Sequence, residues 1–452
     1  MQRLFFVVAC AVLVPALSFV QASAQAGGVG TVGESSGDTL SLSLGEAYQR
    51  ALSQSPAYLA DRQELEIARG QLAQVRVLTF NPEFEYQAPG IVGSGILGEY
   101  QASLSQEIEI GGQRNLRVRA ATLGVERAQS VVQNAARQTL ADVGQAFYTA
   151  LAAQRRVDVA RELFALNEQL LTATRIQVRE GEISTMDANL AEIEAGRGRA
   201  RVLATEREAT SARLELQRLT NVPADQFVRL EESEAVAAPL ALGVDSLVQL
   251  AFSRRPDLTA QARATAQSET LTRLAQKEAV PNLRFGLFLE REELNFLSTS
   301  TPGAPPLQSR RESPRLGIGV SLPLPIFQRN RGLVAERAAQ AQQSQYLLQA
   351  AEQNVRVQVT DAVLAYRSAS NEAEIFEREV LATARANQEL LDIAYRAGKV
   401  GLPTILLLRN QLLDAELGYW DAWLAERRAL VELQAATSTL DGDFDLNLTG
   451  TP

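Results

Sequence analysis

The side chains that carry most enzyme and metal chemistry are missing from this sequence. It has no histidine, and Cys10 is its only cysteine. Catalytic triads that need an imidazole base are excluded, as are disulfides within the chain and the usual histidine and cysteine sites for zinc and copper. Met186 is the only methionine besides Met1, so a thioether copper site within one chain is excluded too. What remains is carboxylate: 53 aspartates and glutamates stand against 44 lysines and arginines, a net charge of −9. An acidic chain of this kind is a poor partner for nucleic acid. Its carboxylates fall on helical faces that read as solvated, so they suggest no catalytic group, no cofactor site and no metal site.

The elements that position these residues begin with an export signal. Arg3 precedes the apolar run Leu4 to Val20, and Ala22 and Ala24 flank Ser23, the charged start, short apolar core and small-residue site of a signal peptide. Residues 1–24 are therefore expected to be removed. A membrane anchor is the alternative, but the run is short and no stop-transfer charge follows. Val7 to Cys10 faintly resembles a lipoprotein site, although the apolar run continues well past it. Beyond residue 24 no apolar run approaches the roughly 20 residues of a spanning helix. A membrane could then be crossed only with strands.

The chain repeats itself. Ala51, Ser53, Pro56 and Ala60 stand opposite Ala251, Ser253, Pro256 and Ala260, and Asn81-Pro82 stands opposite Pro281-Asn282. Gln-Arg-Asn occurs at 113–115 and again at 328–330. Arg161, Glu162, Arg179 and Gly181 match Arg378, Glu379, Arg396 and Gly398. The expected organisation is an N-terminal extension over 25–43, a first repeat over 44–220, a connection over 221–243 holding Pro223 and Pro239, a second repeat over 244–437, and a tail over 438–452.

Each repeat reads as helix, hairpin, very long helix, turn and shorter helix. The first helices, about 56–80 and 256–279, open on a proline whose missing N–H costs nothing there. The period then changes to two. Phe84, Tyr86, Tyr100 and Leu104 alternate with polar residues in the first repeat. Leu283, Phe285, Leu287 and Leu289, then Leu316, Ile318, Val320 and Leu322, do so in the second. These apolar residues are expected to face lipid from strands of about ten residues within 82–110 and 282–326, the length of a tilted membrane strand. Pro89 to Glu99 and Arg291 to Pro314 read as long loops. Helices over about 114–180 and 330–397 would each extend about 100 Å, too long for an ordinary globular core. Their narrow seams, such as Val159, Leu163, Leu166 and Leu170, read as coiled-coil packing. They turn at 179–187 and 396–404, where glycine supplies the left-handed exit from a helix, and the returning helices, about 184–218 and 402–436, are half as long.

Four strands cannot close a membrane barrel, and an open edge in lipid leaves backbone groups unsatisfied. A homotrimer would supply twelve strands and twelve helical columns.

The duplicated layout, the Gln-Arg-Asn junctions, the strand end Leu322 to Phe327 and the turn Gly398 to Leu402 resemble the outer membrane factors, the TolC-like ducts of tripartite efflux pumps. Ile108 to Arg114 and Leu322 to Asn330 are most similar to the heavy-metal CzcC/CusC branch. The resemblance implies a mainly α chain with a membrane β-barrel, four strands per chain in a trimeric duct. It also implies an outer-membrane location with the helical barrel in the periplasm, a periplasmic adaptor protein and an inner-membrane RND pump as partners, and no enzymatic activity. It implies adaptor docking at the tips, Gly181, Glu182, Ile183, Ser184, Gly398, Lys399, Val400, Gly401 and Leu402, with Val400 and Leu402 as apolar residues at an end otherwise facing water; a plain interhelical turn is the other reading of these residues. It places a periplasmic carboxylate gate at Asp187, whose counterparts in the second repeat, Thr404 and Leu407, are not acidic. A helix-end role for Asp187 stands beside the gate. A drug or protein-secretion duct of the same family, and a coiled-coil adhesin or spacer, stay open as other readings.

Overall fold

A computed structural model describes residues 40–87, 91–92, 95–96, 100–231, 243–298, 307–397 and 399–440, all within one compact unit over 39–452. The expected signal peptide, Cys10, Gly398 and most of the C-terminal tail lie outside the described residues.

The described residues open with β1 (Leu40–Leu42), followed by α1 (Leu44–Gln54) and α2 (Pro56–Arg76). Ser43 starts α1 with a capping box: its hydroxyl accepts the Glu46 N–H while the Glu46 carboxylate accepts the Ser43 N–H, satisfying two otherwise orphaned donors. The hairpin strand β2 (Glu83–Gln87) is followed by β3 (Ile91–Val92), β4 (Gly95–Ile96) and β5 (Tyr100–Ile108). Next come α3 (Gln113–Arg179), α4 (Thr185–Thr220) and β6 (Val228–Leu230). The second repeat runs α5 (Val244–Arg254), α6 (Pro256–Lys277), β7 (Leu283–Ser298), β8 (Leu307–Ser321) and α7 (Arg331–Ile375). A π-helical segment, Phe376–Leu381, leads into α8 (Ala382–Arg396), and α9 (Leu402–Thr437) returns.

The duplication extends to the ends of the returning helices. Leu216, Gln217 and Thr220 close α4 as Leu433, Gln434 and Thr437 close α9, and both threonines are fully buried. Each helix then exits through a left-handed residue, Asn221 or Ser438. The following N–H, from Val222 or Thr439, closes back on the Gln217 or Gln434 carbonyl, which satisfies carbonyls the helix end would orphan.

Helices form side-by-side columns. α3 packs against α2 and α4 on one side and against α6 and α9 on the other, and α7 packs on α6 and α9. The four strands pair in the order β2-β5-β7-β8, each antiparallel to the next. Both layers therefore have the same order, and their free edges coincide: β2 with the α2/α4 column at one side, β8 with α7 at the other.

Several expectations need correction. The stretch Arg291 to Pro314 is not mainly loop: the β7–β8 ladder continues from Arg291↔Pro314 to Ser298↔Leu307. Its sequence carries no apolar alternation to read, and Pro314 is tolerated because β8 is an edge strand. The second long helix is not continuous α-helix, since the π-helical segment interrupts it. The two Gln-Arg-Asn motifs are not structurally equivalent. The first opens α3, whereas the second precedes α7; the equivalent residues are Gly112 and Asn330, left-handed N-caps with φ of 78° and 58°. Finally, the N-terminal extension and the connection contain β1 and β6, which pair in parallel. They bury Leu42, Val228 and Leu230 in a core with Phe147, Leu140 and Leu216.

Candidate functional site

Register places the strand residues in rows across the sheet. Phe84, Leu104, Leu287 and Ile318 form one row, and Tyr86, Ala102, Leu289 and Leu316 the next. Phe285 pairs with Val320, and Leu283 with Ile108. Of the twelve residues expected on this face, eleven are exposed and Leu283 is half-buried. The opposite face carries Glu83, Ser105, Gly286 and Gly319 in one row and Glu85, Ser103, Phe288 and Gly317 in another. One face apolar and one polar is the pattern of a strand between lipid and a wet lumen. On the polar face Arg284 bridges Glu83 at 3.1 Å and Glu107 at 3.4 Å, and Asn282 donates to Glu107 at 2.7 Å. The Phe288 ring lies over Gly317, where a Cβ would come within 2.2 Å of it.

The strand-to-helix junctions are stitched to their neighbours by polar side chains. Gln106 donates to the Phe80 carbonyl at 2.8 Å, Arg117 to Thr79 at 2.7 Å, and Arg114 to the Arg76 carbonyl. Across the other side, the buried Gln113 amide donates to the Val280 carbonyl at 3.1 Å. Asn330 likewise reaches the Ala275 carbonyl at 3.2 Å. These bonds fix the direction in which each long helix leaves its strand.

At the other end of α3, Gly181 adopts φ of 77°. Its N–H bonds the Val178 carbonyl and the Glu182 N–H bonds that of Gln177, a Schellman closure. Lys399 N–H returns to the Ala394 carbonyl in the same manner. Ser184 caps α4: its hydroxyl accepts the Asp187 N–H at 3.2 Å and donates to the Asp187 carboxylate at 2.8 Å. The geometry expected of a helix-end residue is therefore present at Asp187. Gly181, Glu182, Ser184, Lys399 and Gly401 are exposed, and Ile183 and Val400 half-buried. Leu402 corrects its expectation. It is buried in a cluster with Leu170, Ala191, Leu391, Ile405 and Leu406, because the first turn of α9 folds onto the ends of α3 and α4 instead of facing water. Thr404 and Leu407 are exposed.

Sequence reasoning missed the ties just above these tips. The buried Glu194 of α4 accepts from Arg197 at 2.8 Å and from Asn410 of α9 at 3.3 Å. Arg409 donates to the Leu166 carbonyl of α3 at 3.1 Å. A carboxylate set among Ala191, Ala195 and Gly198 was the available signal, since small neighbours let helices approach and bury it. Among the described residues no group of three or more potential ligands could hold a metal ion, and no helix is long and apolar enough to cross a membrane.

A two-part strand sheet and helix columns built from a duplicated unit agree with the family comparison. The model described as "Outer membrane efflux protein" matches residues 47–222 and 247–439, one segment per repeat. The chain belongs to the outer membrane efflux protein family. Among its relatives, the cobalt-zinc-cadmium resistance protein CzcC of Cupriavidus metallidurans is 25% identical over 362 residues, covering 80% of this chain and 81% of that protein. The nickel-cobalt-cadmium resistance protein NccC of Alcaligenes xylosoxydans xylosoxydans is 27% identical over 176 residues, 38% of this chain and 40% of that protein. The solved OprN channel matches with a TM-score of 0.71 at 18% identity over 88% of this chain and 90% of its own. CusC matches at 0.70 and 16% identity over 90% and 95%. This outer membrane efflux protein thus has the TolC-like fold of the solved channels, and CzcC and CusC, of the branch its motifs resemble, are among the proteins it is similar to.

Proposed function

We propose that the chain assembles as a homotrimer, a passive duct of a tripartite RND-type system that carries heavy-metal cations across the outer membrane. The observation that carries the assembly is the shared order of the two layers. β2 and β8 run in opposite senses, so β8 of one copy can pair with β2 of the next and continue the antiparallel pattern. A head-to-tail contact of this kind can close into a ring, and three copies of the four-stranded sheet would give twelve strands. The helical edges support it. Tyr346, Val357, Leu364 and Ile375 of α7 are exposed at spacings of eleven, seven and eleven, which set them on one helical stripe. Ile67 of α2 and Ile193 and Leu203 of α4 are exposed on the opposite column.

The metal assignment rests on the likeness to CzcC over most of both chains. Absence of histidine, and of any cysteine beyond Cys10 in the expected signal peptide, suits the role, since a tight ligand in the wall would trap the cation it should pass. In this reading the helical barrel stands in the periplasm, the Gly181 and Gly401 turns meet an adaptor protein, and the adaptor joins the duct to an inner-membrane pump. Deleting the gene should raise cellular cobalt, zinc or cadmium and lower tolerance to them, with recovery on complementation. Unchanged metal handling with altered drug tolerance would replace the cargo by drugs. Separately, Gly401→Trp should abolish export while leaving trimer and membrane insertion intact; full export would remove the docking role of that turn.

A further inference from the structure

The segment between β8 and α7 carries apolar side chains that the protomer leaves uncovered. Leu324 and Ile326 are exposed, and Phe327 is 97% exposed. On the opposite free edge, the segment between α2 and β2 exposes Val77 and Leu78. Both segments lie at the helix-side ends of their strands, and register within the protomer puts those ends on neighbouring rows of the sheet. Glu107 lies level with Arg284 and Ser321, and the β2–β5 register, extended from Glu83↔Ser105, brings Asn81 to the same row. Three residues below Ser321 is Leu324, and three below Asn81 is Leu78.

The duplication shows what such a junction does when it has a neighbour. Inside the chain the β5–α3 junction of the first repeat lies against the α6–β7 segment of the second, with Gln113 bonded to the Val280 carbonyl and Asn282 to Glu107. The β8–α7 junction is its structural counterpart, with Asn330 in place of Gly112. It is tied on its inner side to Ala275, and its outer side lies at the edge of the sheet. A ring brings the next copy's α2–β2 segment there, as the first repeat brings α6–β7.

We propose that Leu324, Ile326 and Phe327 form an apolar prong that seats on Val77 and Leu78 of a second copy of this chain. The prong seals the joint between barrel and helices. This rests on the homotrimer reading and adds the specific contact that closes it. Phe327 stands at the position Glu109 holds in the first repeat; there, within the chain, Glu109 is bonded to Arg117 at 2.6 Å. The second repeat thus replaces an ion pair by an apolar residue at the junction that has no neighbour within its own chain. Burying exposed aromatic and aliphatic area against a like surface is the ordinary driving force for association.

The test uses the full-length protein purified in detergent. Leu78→Cys combined in turn with Leu324→Cys, Ile326→Cys and Phe327→Cys, each mildly oxidised, should give a covalent trimer on denaturing gels for at least one pair, and no single variant should. Native mass spectrometry of the same samples reads the assembly independently. A trimer by mass without the covalent species in any pair overturns the prong contact and keeps the homotrimer. A monomer by mass in the wild type overturns the homotrimer itself. A Phe327→Trp variant reconstituted in brominated phosphatidylcholine gives the second reading: weak quenching is expected, and strong quenching assigns the prong to lipid and overturns the proposal.

Discussion

Glycines mark places where a single methyl group would be felt. At Gly144 of α3, an added Cβ would lie 2.6 Å from the Tyr48 hydroxyl and 3.2 Å from Val431, inside the core that joins the two repeats. Gly144→Ala should therefore cost about 1–3 kcal/mol by overpacking, read as a lowered thermal midpoint of the helical circular-dichroism signal. An unchanged midpoint would mean that Tyr48 can move aside. A buried ion pair gives a pH signature near the same level. Arg255, nearly fully buried at the start of α6, holds Asp257 through two bonds of 3.0 and 2.6 Å and donates to Gln358 at 2.8 Å. Burial raises the Asp257 pKa, but the Arg255 bonds and charge, together with the Arg137 charge and the Leu258 N–H, outweigh it and leave the carboxyl below its ordinary value. A lowered folded pKa means that the carboxylate stabilises the fold above the unfolded value of roughly 4, and that this contribution is lost as pH falls through the folded value. Thermal midpoints should fall in that acid window, and Asp257→Asn should flatten that part of the profile. Asp187 can be resolved in the same manner. Asp187→Asn keeps an oxygen for the Ser184 hydroxyl and removes the charge. If three such carboxylates ring the entrance, single-channel recordings will show reduced cation preference with stability retained; unaltered selectivity would leave Asp187 as a helix-end residue.

Among the elements, the π-helical segment is the one whose geometry makes a distinctive claim. A π-bulge takes up one extra residue within a helix. Phe376 enters it against Gly418 of α9, where a Cβ would come within 2.6 Å of the ring. Deleting Glu377 should therefore turn the segment into regular α-helix and leave α7 and α8 in register with their neighbours. Deleting Glu352, in the regular part of α7, should rotate Ala341 and Val355 apart by about 100° and abolish assembly. Loss of trimer in both, read by native mass spectrometry, would show that the extra residue is not absorbed there. Elements with a local signal were legible in the sequence: the long helices from their seams, the strands from apolar alternation between Leu283 and Leu289, the tips from Gly181. Those without one were not. β1 and β6 are three residues each and meet only through the tertiary core, so neither has a period to read. The upper β7–β8 ladder leaves the apolar zone, and with it the contrast between faces that marked the lower half. The π-helical segment is a hydrogen-bond shift inside a sequence of good helix formers. Leu402 was misplaced because a turn's sequence shows its bend but not which neighbours fold over it.

At the scale of the molecule, the duplication accounts for both the regularity of the fold and its incompleteness as one chain. Two repeats supply alternating long and composite columns above which strands follow in the same order, and each layer ends on the same two edges. Hydrogen-bonding groups on β2 and β8 have no partner strand beyond them within the described sheet, and in lipid such an edge is untenable. Ring closure answers both layers at once, which a surface adhesin or spacer would not require. The most direct test is native mass spectrometry of the protein extracted from outer membranes in mild detergent. A single species of three copies is the predicted result. A stable monomer retaining its full β-sheet signal would contradict the ring, and with it the account of this chain as one third of an efflux duct.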